Sequence, residues 1–206
     1  MKQNQYRKIL SLAIVAMLLA LVVVLQYFGG FIKIGPFVPS LVLIPIVIGA
    51  IVVGPRGGAI LGAAFGIVVI TQCFMGIDAG GFILWGINPF FTILICLVKG
   101  IAAGLVPGYI YKLIVTENAS NKRAVAGAVV AALTAPILNT GLFVLGLSTL
   151  FTDTLYAWSG GTNALLYIFT GLIGINFLIE LAINIVVSPA LATVVKVATK
   201  KIINEK

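Results

Sequence analysis

Residues 9–28 run for twenty positions without a charged side chain. At about 1.5 Å per helical residue, such a stretch spans the roughly 30 Å hydrocarbon core of a bilayer. There, a helix satisfies every backbone N–H and C=O within one segment. Comparable apolar segments follow at 40–53, 58–74, 91–113, 124–150 and 172–195. The expected fold is therefore all-α: a polytopic membrane protein whose six transmembrane helices form one bundle in a single domain, 1–206. Composition agrees, with 61% of residues hydrophobic and 9% charged, against roughly 25% charged in ordinary soluble domains. The largest hydrophilic interval, 116–123, is only a connector. Residues 1–8 followed by an apolar run imitate a signal peptide, but further spans follow, and the segment reads as an uncleaved first helix.

The second span is short and contains Pro45, so it is expected to be bent or tilted, and Pro136 is expected to interrupt the fifth. Gly58, Gly62 and Gly66 recur every four residues in the third, a spacing that lets a neighbouring helix approach closely. Residues 75–89, with Asp78, Gly80, Gly81 and Trp85, read as a wet, flexible connector, and 151–171 as loop plus short helix. An even number of spans puts both termini on one side. Eleven of the thirteen Lys and Arg residues then share a face, Lys33 lies opposite, and Lys99 falls inside the fourth span. Positive residues are retained on the cytoplasmic side, so both termini are expected there and the glycine-rich connectors outside.

The net charge of +8 is dispersed over loops and ends, unlike the clustered basic surface that nucleic-acid binding requires. The chain lacks histidine, and Cys73 and Cys96 have no CxxC spacing, which argues against a structural zinc site, a disulfide framework and histidine-based catalysis. No HExxH or P-loop sequence is present. The expectation is a non-enzyme without metal or cofactor.

The chemistry lies in polar groups within the spans. Asn176, Glu180 and Asn184 are four residues apart, which places them on one helix face, and a charge near the bilayer centre costs about 2.5–3.5 kcal/mol on insertion scales. That face should point into the bundle. Counting helical rise puts Lys99 and Glu180 about 12 Å below the outer boundary, and Asn139 and Gln72 about 22 Å above the inner one. All four are thus expected in the outer half, around a cavity with Trp85, Phe90 and Phe91. Such a lining suits a small polar solute with some apolar surface. Alternatively, these groups join helices, with Lys99 and Glu180 paired.

Six short spans, long outer loops and the alanine pair of AMLLA, residues 16–20, resemble the substrate-binding S-components of the energy-coupling factor (ECF) vitamin transporters. IPIVIGAIVVGPRGGAILGAAFG at 44–66 is similar to the second and third helices of those proteins, most nearly the pantothenate-type group. PILNTGLFVLG at 136–146 and NFLIE at 176–180 strengthen the likeness. The resemblance implies six helices around a pocket near the outer face, closed by loops 29–39 and 75–89. It also implies docking of Ala16 and Ala20 on a shared T-component, and a module completed by two ATP-binding subunits. For pantothenate, Lys99 would neutralise the carboxylate while Asn139, Asn176 and Asn184 meet hydroxyls and amide. The fourth-span lysine stands where pantothenate-type relatives often carry arginine. Folate, riboflavin or another vitamin remains an alternative substrate. A stand-alone proton- or sodium-coupled transporter and a purely structural membrane subunit are the other readings.

Overall fold

The computed structural model describes residues 2–29, 41–116, 119–160, 163–168, 170, 177–178, 180–184 and 186. Among them the secondary structure is helical: α1 (Lys2–Gly29), α2 (Leu43–Val52), α3 (Pro55–Met75), α4 (Ala79–Ile87), α5 (Pro89–Ile114), α6 (Asn121–Leu150), α7 (Thr152–Trp158) and α8 (Ala164–Tyr167). Four stretches are long and apolar enough to cross a membrane: Lys8–Phe28, Pro55–Met75, Pro89–Ile114 and Asn121–Leu150. The expected second span is the ten-residue α2, which rises about 15 Å and by itself reaches halfway across the core. The span expected at 172–195 falls largely outside the described residues.

Local sequence sets the helix ends. Gly54, at φ 107, occupies a backbone region that favours glycine, and Pro55 begins α3 where no intrahelical N–H is required. The other end of α3 closes on Gly76 at φ 75, with Ile77 N donating to Gln72 O at 3.0 Å and Gly76 N to Cys73 O at 3.3 Å. This is a left-handed glycine cap that satisfies two terminal carbonyls. Asp78 Oδ1 accepts from Gly81 N at 3.0 Å to start α4, and Asn88 Oδ1 accepts from Phe91 N at 3.2 Å to start α5. Ser120 Oγ accepts from Arg123 N at 3.3 Å to start α6.

Three sequence expectations are corrected here. Pro45 is the third residue of α2, within the first turn, where its missing N–H removes no intrahelical bond. Pro136 lies inside an uninterrupted α6, buried beside Ala132 and Ala135; neighbouring helices support such a residue in a membrane. The connector at 75–89 is mostly the helix α4, and its Gly80–Gly81 pair serves packing. Gly80 and Gly81 are buried, and a Cβ on Gly81 would collide with Cys73 Sγ.

Glycine also fixes how the long helices pair. A Cβ on Gly58 would strike Gly104 O, one on Gly62 would strike Gly100 O, and one on Gly66 would come within 2.7 Å of Cys96 O. Helices α3 and α5 therefore run antiparallel with their backbones in contact, each supplying a row of small residues. Without a hydrophobic drive between helices in lipid, this close packing supplies much of their association. On α5's other flank, α6 runs antiparallel to it, with Gly127 against Ile114 and Val115 and Gly146 against Ile95. Helix α1 runs alongside α3 in the same direction, tied near their C-terminal ends by Gln26 and Gln72.

The directions sort the charges. Lys8, Arg56, Lys112, Lys122 and Arg123 gather at one end of the bundle, while Asp78 and Asp153 lie at the other. One apolar core joins α1, α2, α3, α5 and α6. A second, at the acidic end, packs Leu84, Ile95, Leu147, Phe151, Leu155 and Ile168 together.

Candidate functional site

Helix α5, packed between α3 and α6, carries Lys99 as its eleventh residue, about 15 Å along the helix. The backbone contacts at Gly100 and Cys96 hold that segment firmly against α3. The Lys99 ammonium lies 5.8 Å from the centre of the Phe65 ring on α3 and 5.1 Å from that of Phe143 on α6. Ring faces carry partial negative charge and attract a cation, by about 0.5–1 kcal/mol when exposed and about 2 when desolvated. The two rings therefore hold the ammonium inside the bundle and offset part of its cost there.

Asn139 lies one turn before Phe143 on α6, so the two share a helix face. It is buried, and its Oδ1 has no hydrogen-bond partner among the described residues. Glu180 and Asn184 are likewise buried and one turn apart, with Asn184 Nδ2 donating to the Glu180 carbonyl at 2.7 Å. Asn184 Oδ1, too, has no partner among the described residues. Asn176 lies outside the described residues. The shared inward face expected for Glu180 and Asn184 is thus observed as burial of both side chains.

Gln72 is engaged by a neighbouring helix. It lies seven residues beyond Phe65 on α3, about 10 Å further along the helix, and its amide is engaged with α1. Gln26 Nε2 donates to its Oε1 at 2.8 Å, and its Nε2 donates to Gln26 O at 3.2 Å. Tyr27 and Thr71 pair beside it at 3.3 Å. Gln72 therefore joins two helices, two turns beyond Phe65 along α3. Trp85 packs edge-to-face with Phe74 at 5.6 Å, Phe91 packs edge-on against Phe151 at 6.3 Å, and Phe90 is exposed. These aromatics belong to the acidic end of the bundle.

The rings that do flank Lys99, Phe65 and Phe143, were not among the expected residues. A signal for Phe143 existed in its one-turn spacing from Asn139. Phe65 sits within the glycine-rich segment, and nothing in its spacing points to α5. On α1, Ala16 and Ala20 lie on the exposed face, with Leu12, Met17 and Leu21, opposite the buried Leu18 and Val22.

Chemically, the arrangement offers an interior cation cushioned by two rings, together with buried amide oxygens able to accept hydrogen bonds. An anion on a partly apolar molecule fits the cation and the rings. Comparison with known proteins gives two findings. Residues 10–192 match the family described as "ECF transporter, substrate-specific component". The chain is also 28% identical over 192 residues to the pantothenic acid transporter PanT of Lactococcus lactis subsp. cremoris (strain MG1363), which covers 88% of this chain and 91% of that protein.

Proposed function

This chain belongs to the substrate-specific components of ECF transporters, and from that premise we propose that it captures pantothenate from the outer side of the membrane. It is a multi-pass membrane protein, and its family and its relative are components of transport. The observation that carries the substrate reading is the Lys99 ammonium between the Phe65 and Phe143 rings. An interior cation calls for an anion, and the pantothenate carboxylate supplies one. The relative's name points the same way at 28% identity.

In this reading Lys99 binds the carboxylate, Asn139, Asn176 and Asn184 meet hydroxyls and amide, and Glu180 accepts a hydrogen bond from a hydroxyl or orients Lys99. Trp85 acts from the outer end, where Gln72 has the structural part of fastening α1 to α3. The gathering of Lys8, Arg56, Lys112, Lys122 and Arg123 at one end supports a cytoplasmic placement of that end and of the N-terminus, and an even number of spans would put the C-terminus there too. Release inside requires a T-component and two ATP-binding subunits, with the exposed Ala16 and Ala20 as the docking face.

Proteoliposomes test the proposal. With the partner subunits present, labelled pantothenate should accumulate only when ATP is supplied. Accumulation by this polypeptide alone, driven by a proton or sodium gradient, would establish a secondary transporter instead.

A further inference from the structure

Resting on the pantothenate reading, we infer that Asn184 and Asn139 act as acceptor subsites, selecting a ligand by the hydrogen atoms it can donate. An asparagine side chain ordinarily offers a donor group and an acceptor group, so it discriminates poorly between a ligand's O–H and a ligand's carbonyl. Asn184 has lost that ambiguity. Its Nδ2 donates to the Glu180 carbonyl one turn back in the same helix at 2.7 Å, and a carbonyl oxygen can only accept. The opposite amide orientation would set two acceptors against each other, so the hydrogen bond itself fixes which atom faces away from the helix backbone.

The outward atom is Oδ1. It is buried and no donor reaches it among the described residues, although the residue as a whole is 1% exposed. Asn139 on α6 shares one part of this condition, a buried Oδ1 without a donor among the described residues, with the residue 5% exposed; the anchoring of the amide by a backbone carbonyl belongs to Asn184. Buried polar atoms in native proteins nearly always find a partner. Two acceptors left over, on separate helices of a protein whose task is to take up a small molecule, fit N–H or O–H groups brought by that molecule. The selectivity follows directly. A ligand that keeps the carboxylate and outline of pantothenate but lacks one donor would leave a buried oxygen without its hydrogen bond.

The test compares pantothenate with its two monodeoxy analogues and its N-methyl amide analogue, using equilibrium binding to the full-length protein in detergent. At least one analogue should bind wild type tenfold or more weakly, the effect of one lost buried hydrogen bond. That loss should shrink to near unity in Asn184→Leu or Asn139→Leu, because the acceptor is then gone from the protein as well. Analogues that all bind wild type as tightly as pantothenate would overturn the inference while leaving pantothenate capture standing. A loss that persists undiminished in both variants would assign the donors to other groups. Failure of pantothenate itself to bind would overturn both readings. Because the wild-type comparison needs no mutant, a variant that misfolds does not remove the test.

Discussion

Replacing Gly62 by alanine should loosen the bundle, while the same replacement at Gly141 should tighten it. Both glycines lie inside long helices, where alanine gains about 1 kcal/mol of helix propensity over glycine. At Gly141 nothing stands within 4 Å of the added Cβ, so most of that gain should appear. At Gly62 the Cβ would meet Gly100 O, and Gly100 C at 2.8 Å, about 1 Å inside ordinary carbon–carbon contact near 3.5–4 Å. The obstacle is backbone, which cannot rotate aside, so α5 must move away from α3. Overpacking of this kind costs about 2–3 kcal/mol, leaving about 1–2 kcal/mol of net destabilisation after the propensity gain. For a chain of this length each kcal/mol shifts the melting midpoint by roughly 2–4 °C. Fluorescence-detected size-exclusion after heating in detergent should therefore show Gly62→Ala melting roughly 2–8 °C lower and Gly141→Ala a few degrees higher. Equal midpoints for the two variants would refute the backbone-contact seam.

Lys99→Met should weaken pantothenate binding roughly ten- to a hundredfold, the range for losing a hydrogen bond to a charged group, with the melting midpoint retained; equilibrium dialysis reads the loss. Gln72→Leu should lower stability by about 1 kcal/mol through its bonds to Gln26 while leaving affinity nearly unchanged, and the same two assays on one preparation separate these effects. Asp78→Ala removes the cap of α4 and should cost about 1 kcal/mol, visible as a lower melting midpoint. Ala16→Trp with Ala20→Trp should abolish co-purification with the T-component without altering pantothenate affinity.

The glycine row of α3 was legible because its spacing matches a helix face. Its partner row, Gly100 and Gly104, lies in a span where the lysine drew the reading instead. Gly80 and Gly81 were read as flexibility, since sequence alone does not reveal that Cys73 occupies the space a Cβ would fill. Counting helical rise put Gln72 in the outer half with Lys99, but the count does not reveal a hydrogen-bond partner. Gln26 decides the role of Gln72, and it lies forty-six residues away in the chain. Burial of Asn139, Glu180 and Asn184 followed from the cost of polar groups in lipid. The rings around Lys99 depend on which helices flank α5, an arrangement that emerges only from the packing of α3 and α6.

Binding of labelled pantothenate to the purified chain, without ATP or partner subunits, tests substrate capture most directly. The expected result is saturable binding at one site per chain, displaced by unlabelled pantothenate and weakened in Lys99→Met. A folded protein that shows no saturable uptake of the label would contradict the assignment.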